Sequence, residues 1–188
     1  MKNIKEILDL GTIEEKIKIL ESLSSTNNTE IIQKIISKLD DDDIQVRGEA
    51  FSALVLNENE ISKLLIDNLS SQNKNIRGYA SLVLANRNDS NAIPEIIKLT
   101  NDPSSMVRAC ALGALGYLKA EQAKEAIHKC LFDSNLEVRK SALQATINLG
   151  YSLSEDKIKE MFREKDSELE RLLVNVKKVD RKGFEPSI

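Results

Sequence analysis

Four arginines recur along the chain at intervals of 30, 31 and 31 residues: Arg47, Arg77, Arg108 and Arg139. Each stands in the same local pattern, with a polar residue four positions before it, an apolar residue directly before it and an alanine three positions after it. A unit of about 30 residues is too short to bury its own apolar face, so it must stack on copies of itself. The sequence therefore predicts an array of stacked repeats.

The region around each arginine has the pattern of an amphipathic helix. In the first complete unit, Val46, Ala50 and Leu54 fall four residues apart, and small or apolar residues hold the same places in the other units. The polar residue four before each arginine can accept hydrogen bonds from the free amides of a first helical turn. These predicted N-caps are Asp43, Asn73, Ser104 and Asn135.

A second apolar stripe precedes each arginine. Ile31, Ile35 and Leu39 show its spacing of four, and residues 57–59 and 87–91 supply short polar breaks between the two stripes of a unit. Each unit is therefore predicted to be a helical hairpin. Upstream, Thr12 and Glu15 have the spacing of a capping box, which extends the array towards the start of the chain.

This register divides the chain into one repeat domain, residues 1–176, and a disordered tail, residues 177–188. Ile158 and Phe162 fit the second stripe of the last unit. The predicted units are approximately 12–40, 41–70, 71–101, 102–132 and 133–165, flanked by cap helices at 2–9 and 168–176.

The third unit carries a family resemblance. Its run from Asp102 to Gly116, with Val107-Arg108 followed by Ala111-Leu112-Gly113, resembles HEAT-like repeats, particularly the short variety also found in phycobilisome lyase subunits. The resemblance covers nearly the whole chain. It implies an all-α fold, a right-handed α-α superhelix of about five helical hairpins with capping half-repeats. In such proteins the second helices usually line the concave side, and that side or the inter-repeat loops take the partner.

Three of the arginines have an aspartate six positions earlier. We interpret these pairs as a structural ladder, in which a turn carboxylate accepts hydrogen bonds from an arginine of its own or an adjacent unit. The ladder consists of Asp41, Arg47, Asp102, Arg108, Asp133 and Arg139. Ser71 stands in the aspartate place before Arg77, so Arg77 is predicted to be the arginine most open to a partner.

Two glycines directly follow arginines inside predicted first helices, where a glycine should cost about 1 kcal/mol relative to alanine. For Gly48 and Gly78 we expect close approach of a neighbouring helix.

The predicted function is a non-enzymatic scaffold that binds another protein. The candidate partner-binding residues are Lys34, Lys63, Arg77, Glu95, Lys98, His128 and Lys129. Nucleic acid is the main alternative partner, but 27 basic against 30 acidic residues, a formal charge of −3, argue against a basic track. We expect a monomer or weak self-association.

Catalysis and cofactors find little support in the sequence. His128 is the single histidine and has no placed nucleophile, and a zinc site needs about four ligands, so no metal or cofactor is predicted. The resemblance extends to deoxyhypusine hydroxylases, but their paired His-Glu motifs are absent. A subunit related to phycobilin lyases is the lowest-ranked alternative.

No run of residues is apolar over the ~18–20 positions that a membrane helix needs, and residues 1–8 lack the apolar core of a secretory signal. A cytoplasmic protein with two small unpaired thiols, Cys110 and Cys130, is therefore expected.

Overall fold

The computed structural model describes residues 3–153 and 166–182. Over these ranges the chain forms eleven α-helices and four short 3₁₀ helices and has no strand. The all-α prediction is confirmed. The chain divides into two compact units, Met1–Ile96 and Ile97–Ile188, with the boundary inside one helix.

The first compact unit holds a cap helix and helical hairpins in sequence order. Its α-helices are α1 (Ile4–Leu10), α2 (Ile13–Glu21), α3 (Thr29–Ser37), α4 (Ile44–Leu56), α5 (Ser62–Asp67), α6 (Lys74–Asn86) and the start of α7 (Ile93–Leu99). The 3₁₀ helices are Lys38–Asp40, Asn68–Ser70 and Ser90–Ala92.

The second compact unit continues the same order. Its α-helices after α7 are α8 (Ser105–Tyr117), α9 (Lys124–Cys130), α10 (Leu136–Asn148) and α11 (Ser167–Lys182), with a 3₁₀ helix at Glu121–Ala123. The expected second helix of unit 133–165, with Ile158 and Phe162, lies outside the described residues.

The first helices begin at the predicted N-caps. The Asp43, Asn73 and Asn135 side chains each accept hydrogen bonds from the backbone amides two and three residues ahead. Ser104 holds the same place, but its hydroxyl makes no capping hydrogen bond. Thr12 and Glu15 form the predicted capping box. These bonds satisfy amides that the helix itself leaves free, so each unit starts its first helix at the same point.

The apolar stripes form the core of each compact unit. In the first, α4 packs between α2 and α6, and Leu54, Leu65 and Leu84 are buried. In the second, α8 packs against α10, and Leu115 and Leu143 are fully buried. Each buried leucine contributes about 1.5–3 kcal/mol relative to exposure. The stacking that the short period demands is therefore visible within both compact units.

The predicted boundary between the repeat domain and the tail falls inside a helix. We expected a disordered tail from residue 177, but α11 continues to Lys182. Residues 177–182 contain no proline or glycine, so their sequence holds no strong signal to end the helix before them. Residues 183–188 lie outside the described residues.

None of the helices that the structure describes is both long enough and apolar enough to span a bilayer.

Candidate functional site

The four arginines make one shared contact. In each, Nη1 donates to the main-chain carbonyl six residues earlier, which fastens the first helix to the turn before it. The N–O distances are 2.7 Å from Arg47 to Asp41, 2.8 Å from Arg77 to Ser71, 2.9 Å from Arg108 to Asp102 and 2.6 Å from Arg139 to Asp133. Because the acceptor is a backbone oxygen, any residue can supply it.

The carboxylates of Asp41 and Asp133 each pair with a different cation, one that belongs to the preceding repeat. Arg108 donates through Nε and Nη2 to the two carboxylate oxygens of Asp133, both at 2.8 Å. In the unit 12–40, Lys16 stands at the position that an arginine holds in the later units, and it donates to Asp41 at 2.8 Å. In both pairs the aspartate also accepts from the amide two residues ahead, at Asn135 and Asp43 respectively.

These contacts lower the pKa values of the two carboxyl groups. The hydrogen bonds from Arg108 lower the pKa of Asp133 below its usual value, against the opposing effect of burial. Burial acts to raise the pKa of Asp41, but the hydrogen bonds from Lys16 and from the Asp43 amide outweigh it, and the pKa is lowered. Both aspartates therefore act as ionised links between consecutive repeats.

That Arg77 is the arginine most open to a partner stays a prediction. Arg77 makes the same two hydrogen bonds to its own turn as Arg47 and Arg108, at 2.8 Å to Ser71 and 3.1 Å to Gln72. Since the turn carboxylate serves the preceding repeat, the serine at position 71 removes a partner from Arg47 instead. Among the residues that the structure describes, Arg47 donates only through Nη1, to the main-chain carbonyls of Asp41 and Asp42.

The candidate lysines on second helices differ in their surroundings. Lys34 on α3 is tied to the α1 carboxylate of Asp9, 2.8 Å from both oxygens. Lys63 on α5 and Lys98 on α7 are exposed, and Lys129 on α9 is exposed with its Nζ 3.3 Å from Asn101 Oδ1. Three of the four lysines therefore present their side chains to solvent.

The remaining second-helix candidates are Glu95 and His128, and both are half-buried. His128 on α9 meets Tyr151 edge to face, with ring centroids 6.1 Å apart. Lys124 Nζ lies 4.2 Å from the centre of the Tyr151 ring, and the Tyr151 hydroxyl hydrogen-bonds to Glu121. Tyr151 was not predicted from the sequence, where its only signal is an aromatic residue directly after Gly150, which ends the helix.

A second feature that was not predicted from the sequence is a set of side-chain hydrogen bonds, here called the clasp, that joins loops of the first compact unit. Arg87 donates to the main-chain carbonyls of Leu54 and Asn59, each at 3.0 Å, and also to that of Asn57. Asn57, only 2% exposed, donates in turn to the Thr26 carbonyl at 2.8 Å. The polar breaks between helices are therefore joined from one repeat to the next by side-chain hydrogen bonds.

An apolar groove lies between α4 and α6. It has a volume of about 320 Å³ and is lined by Ile44, Arg47, Gly48, Phe51, Tyr79 and Leu82. Ile44 on its rim is 72% exposed. A Cβ added to Gly48 would meet no atom within 4 Å, so the expected close approach of a neighbouring helix at this glycine is wrong. Gly78, by contrast, is buried.

The described residues show no arrangement for metal binding: no group of three or more His, Cys, Asp or Glu side chains converges there. Both cysteines are unpaired. Burial raises the pKa of Cys110 to about 11, so its thiol is protonated at neutral pH and is a poor nucleophile.

The HEAT repeat model matches residues 62–145 and 100–174, which together span more than half of the chain. The chain belongs to the HEAT repeat family. Its fold class is therefore the α-α solenoid. A second model, the HEAT repeat associated with sister chromatid cohesion, matches residues 11–48. No curated protein sequence matches the chain significantly.

Solved structures with the same fold include natural and designed repeat proteins. The complex of CpcE and CpcF of phycocyanin lyase from Nostoc sp. PCC7120 matches with a TM-score of 0.68 and 19% identity, over 80% of this HEAT repeat chain and 99% of that chain. A designed armadillo repeat protein in complex with the peptide (KR)4 matches with a TM-score of 0.58 and 18% identity, over 94% and 97%. At these identities the likeness is one of fold.

Proposed function

We propose that this HEAT repeat protein is a non-enzymatic, cytoplasmic scaffold that binds another protein through its second helices and the loops between repeats. The observation that carries the proposal is the exposure of Lys63, Lys98 and Lys129 on successive second helices, α5, α7 and α9, whose opposite faces are buried in the core. A folded helix holds such side chains in place before a partner arrives, so little ordering free energy is lost on binding.

Two similar structures support a protein or peptide as the partner class. In one, CpcE and CpcF form a complex with each other, and in the other a designed armadillo repeat protein holds a peptide. HEAT and armadillo repeats commonly serve as interaction scaffolds. Charge favours protein over nucleic acid, because the chain carries a formal charge of −3 and Lys34 is neutralised by Asp9.

Affinity capture from native lysate, with and without nuclease, tests the partner class. We expect the captured protein to survive nuclease treatment; capture that is lost with nuclease would replace a protein partner by nucleic acid.

A separate measurement addresses the binding surface. The double variant Lys63→Glu/Lys129→Glu should capture less partner than Lys18→Glu/Lys74→Glu, which makes the same change in charge at exposed lysines of the first helices α2 and α6. If the two double variants capture equal amounts of partner, the second helices are not the binding surface.

A further inference from the structure

The groove between α4 and α6 combines an apolar wall with an open notch. Ile44, Phe51 and Leu82 form part of the wall, and none of them is buried. Gly48 lies between them, with room for at least a Cβ above its backbone. An inserted apolar side chain would therefore contact α4 closely and bury the exposed wall, which is the geometry of a groove that takes a helix or extended segment.

A cation with unused donors stands in the same groove. Within the described part of the chain, the Nε and Nη2 groups of Arg47 have no hydrogen-bond or ion partner, because Arg47 donates only through Nη1. In Arg108, at the corresponding repeat position, these two nitrogens bind the carboxylate of Asp133. The corresponding place opposite Arg47 is held by Ser71.

Ser71 makes the hydrogen bond within the turn that an aspartate makes there in other repeats, but it has no carboxylate for the arginine of the preceding repeat. Its hydroxyl accepts from the Asn73 amide at 3.2 Å, just as Asp133 accepts from the Asn135 amide at 2.9 Å. The turn is therefore built normally, while the carboxylate that would neutralise Arg47 is absent. Asp40 is engaged by the side chains of Asn73 and Asn75.

We propose that this groove binds a segment of a partner protein in which an apolar side chain lies close to an aspartate or glutamate. The apolar side chain enters the notch over Gly48, and the carboxylate takes the Nε and Nη2 groups of Arg47 in the bidentate manner that Asp133 shows with Arg108. The proposal rests on the proposed scaffold function, but it uses first helices and a different surface from the second-helix lysines.

Peptide selection tests the chemistry directly. A phage-displayed library of random peptides is panned on the full chain, on Ser71→Asp and on Gly48→Leu. Ser71→Asp supplies an internal carboxylate for Arg47, in a residue type that other repeats already carry there. Gly48→Leu fills the notch. We expect peptides enriched on the wild type to share an acidic residue near a large apolar one and to lose enrichment on both variants.

The best enriched peptide is then synthesised, and its affinity is measured by fluorescence anisotropy. We expect Ser71→Asp to weaken binding at least ~10-fold, about 1.4 kcal/mol. The control Ser70→Asp adds the same charge one residue earlier, at an exposed serine whose hydroxyl donates to the Asp67 carbonyl, and should change affinity less than ~2-fold. Replacing the peptide carboxylate by an amide should weaken binding to the wild type but not to Ser71→Asp.

Three results would overturn the groove proposal: no enrichment on the wild type, enriched peptides without a carboxylate, or equal affinity for wild type and Ser71→Asp. If sedimentation instead shows a dimer that Gly48→Leu dissociates, a second copy of the chain is the occupant. The scaffold function is tested separately, since nuclease-resistant capture can persist when the groove selection fails.

Discussion

Two glycines inside first helices should change the stability of the chain in opposite directions when each is replaced by alanine. Gly48 on α4 faces open space, and an added Cβ would meet no atom within 4 Å. Gly116 on α8 lies against α10, where an added Cβ would be 2.8 Å from the Cα and 3.0 Å from the Cβ of Ala145. The same substitution therefore relieves a helix propensity penalty at one site and creates a steric clash at the other.

The magnitudes follow from these distances. Gly48→Ala should stabilise the chain by about 0.5–1 kcal/mol, because alanine loses less backbone entropy in a helix. At Gly116 the same gain is opposed by overpacking of about 1–3 kcal/mol, since the atom in the way belongs to the backbone of a neighbouring helix and not to a flexible side chain. We expect a net loss of about 1–2 kcal/mol for Gly116→Ala.

Thermal unfolding followed by circular dichroism at 222 nm measures both effects. For a chain of this length 1 kcal/mol corresponds to about 2–4 °C, so the two variants should melt on opposite sides of the wild type. Urea midpoints with unchanged m-values provide an independent check. A Gly116→Ala protein that melts at or above the wild type would refute the close packing of α8 on α10, and a destabilised Gly48→Ala would refute the open groove.

Three further predictions concern Arg108, Asp133 and Cys110. Arg108→Ala should lower the free energy of unfolding by about 1–3 kcal/mol more than Arg47→Ala, because it alone leaves a half-buried carboxylate unpaired; equal losses in matched urea titrations would contradict the pairing between repeats. The lowered pKa of Asp133 means that its contribution to stability is present above the unfolded-state pKa of about 3.9 and is lost as pH falls through the folded-state value. The decline in stability between pH 6 and pH 2.5 should therefore be shallower in Asp133→Asn than in wild type. With its pKa raised to about 11, Cys110 should react with iodoacetamide at pH 8 far more slowly in the folded chain than in urea; equal rates would show that the thiol is not buried.

Local rules made the helix starts predictable. Asp43, Asn73 and Asn135 could be assigned as N-caps because a cap needs only its own side chain and the amides two or three residues ahead. The capping box at Thr12 follows from the same short range. The end of α11 was not predicted, because the residues after position 176 were interpreted as an unpacked tail.

Spacing left the partner of each turn carboxylate open, as an arginine of its own or of an adjacent unit. The period placed three aspartates six residues before an arginine, but this proximity in sequence could not show that Asp41 pairs with Lys16 and Asp133 with Arg108. The clasp formed by Arg87 was missed for a similar reason, since its acceptors are backbone carbonyls 28–33 residues away. Backbone acceptors carry no residue signature, so no motif could have identified them.

Periodicity and contacts within a few residues were enough to predict the repeat unit, its helical hairpin and the residues at which first helices begin. Which carboxylate neutralises which cation, which glycine is pressed against a neighbour and which faces an open groove became known only from the folded chain. Those choices depend on how one repeat is placed against the next, and at Gly48 and Gly116 the same residue type in a similar helix has opposite surroundings.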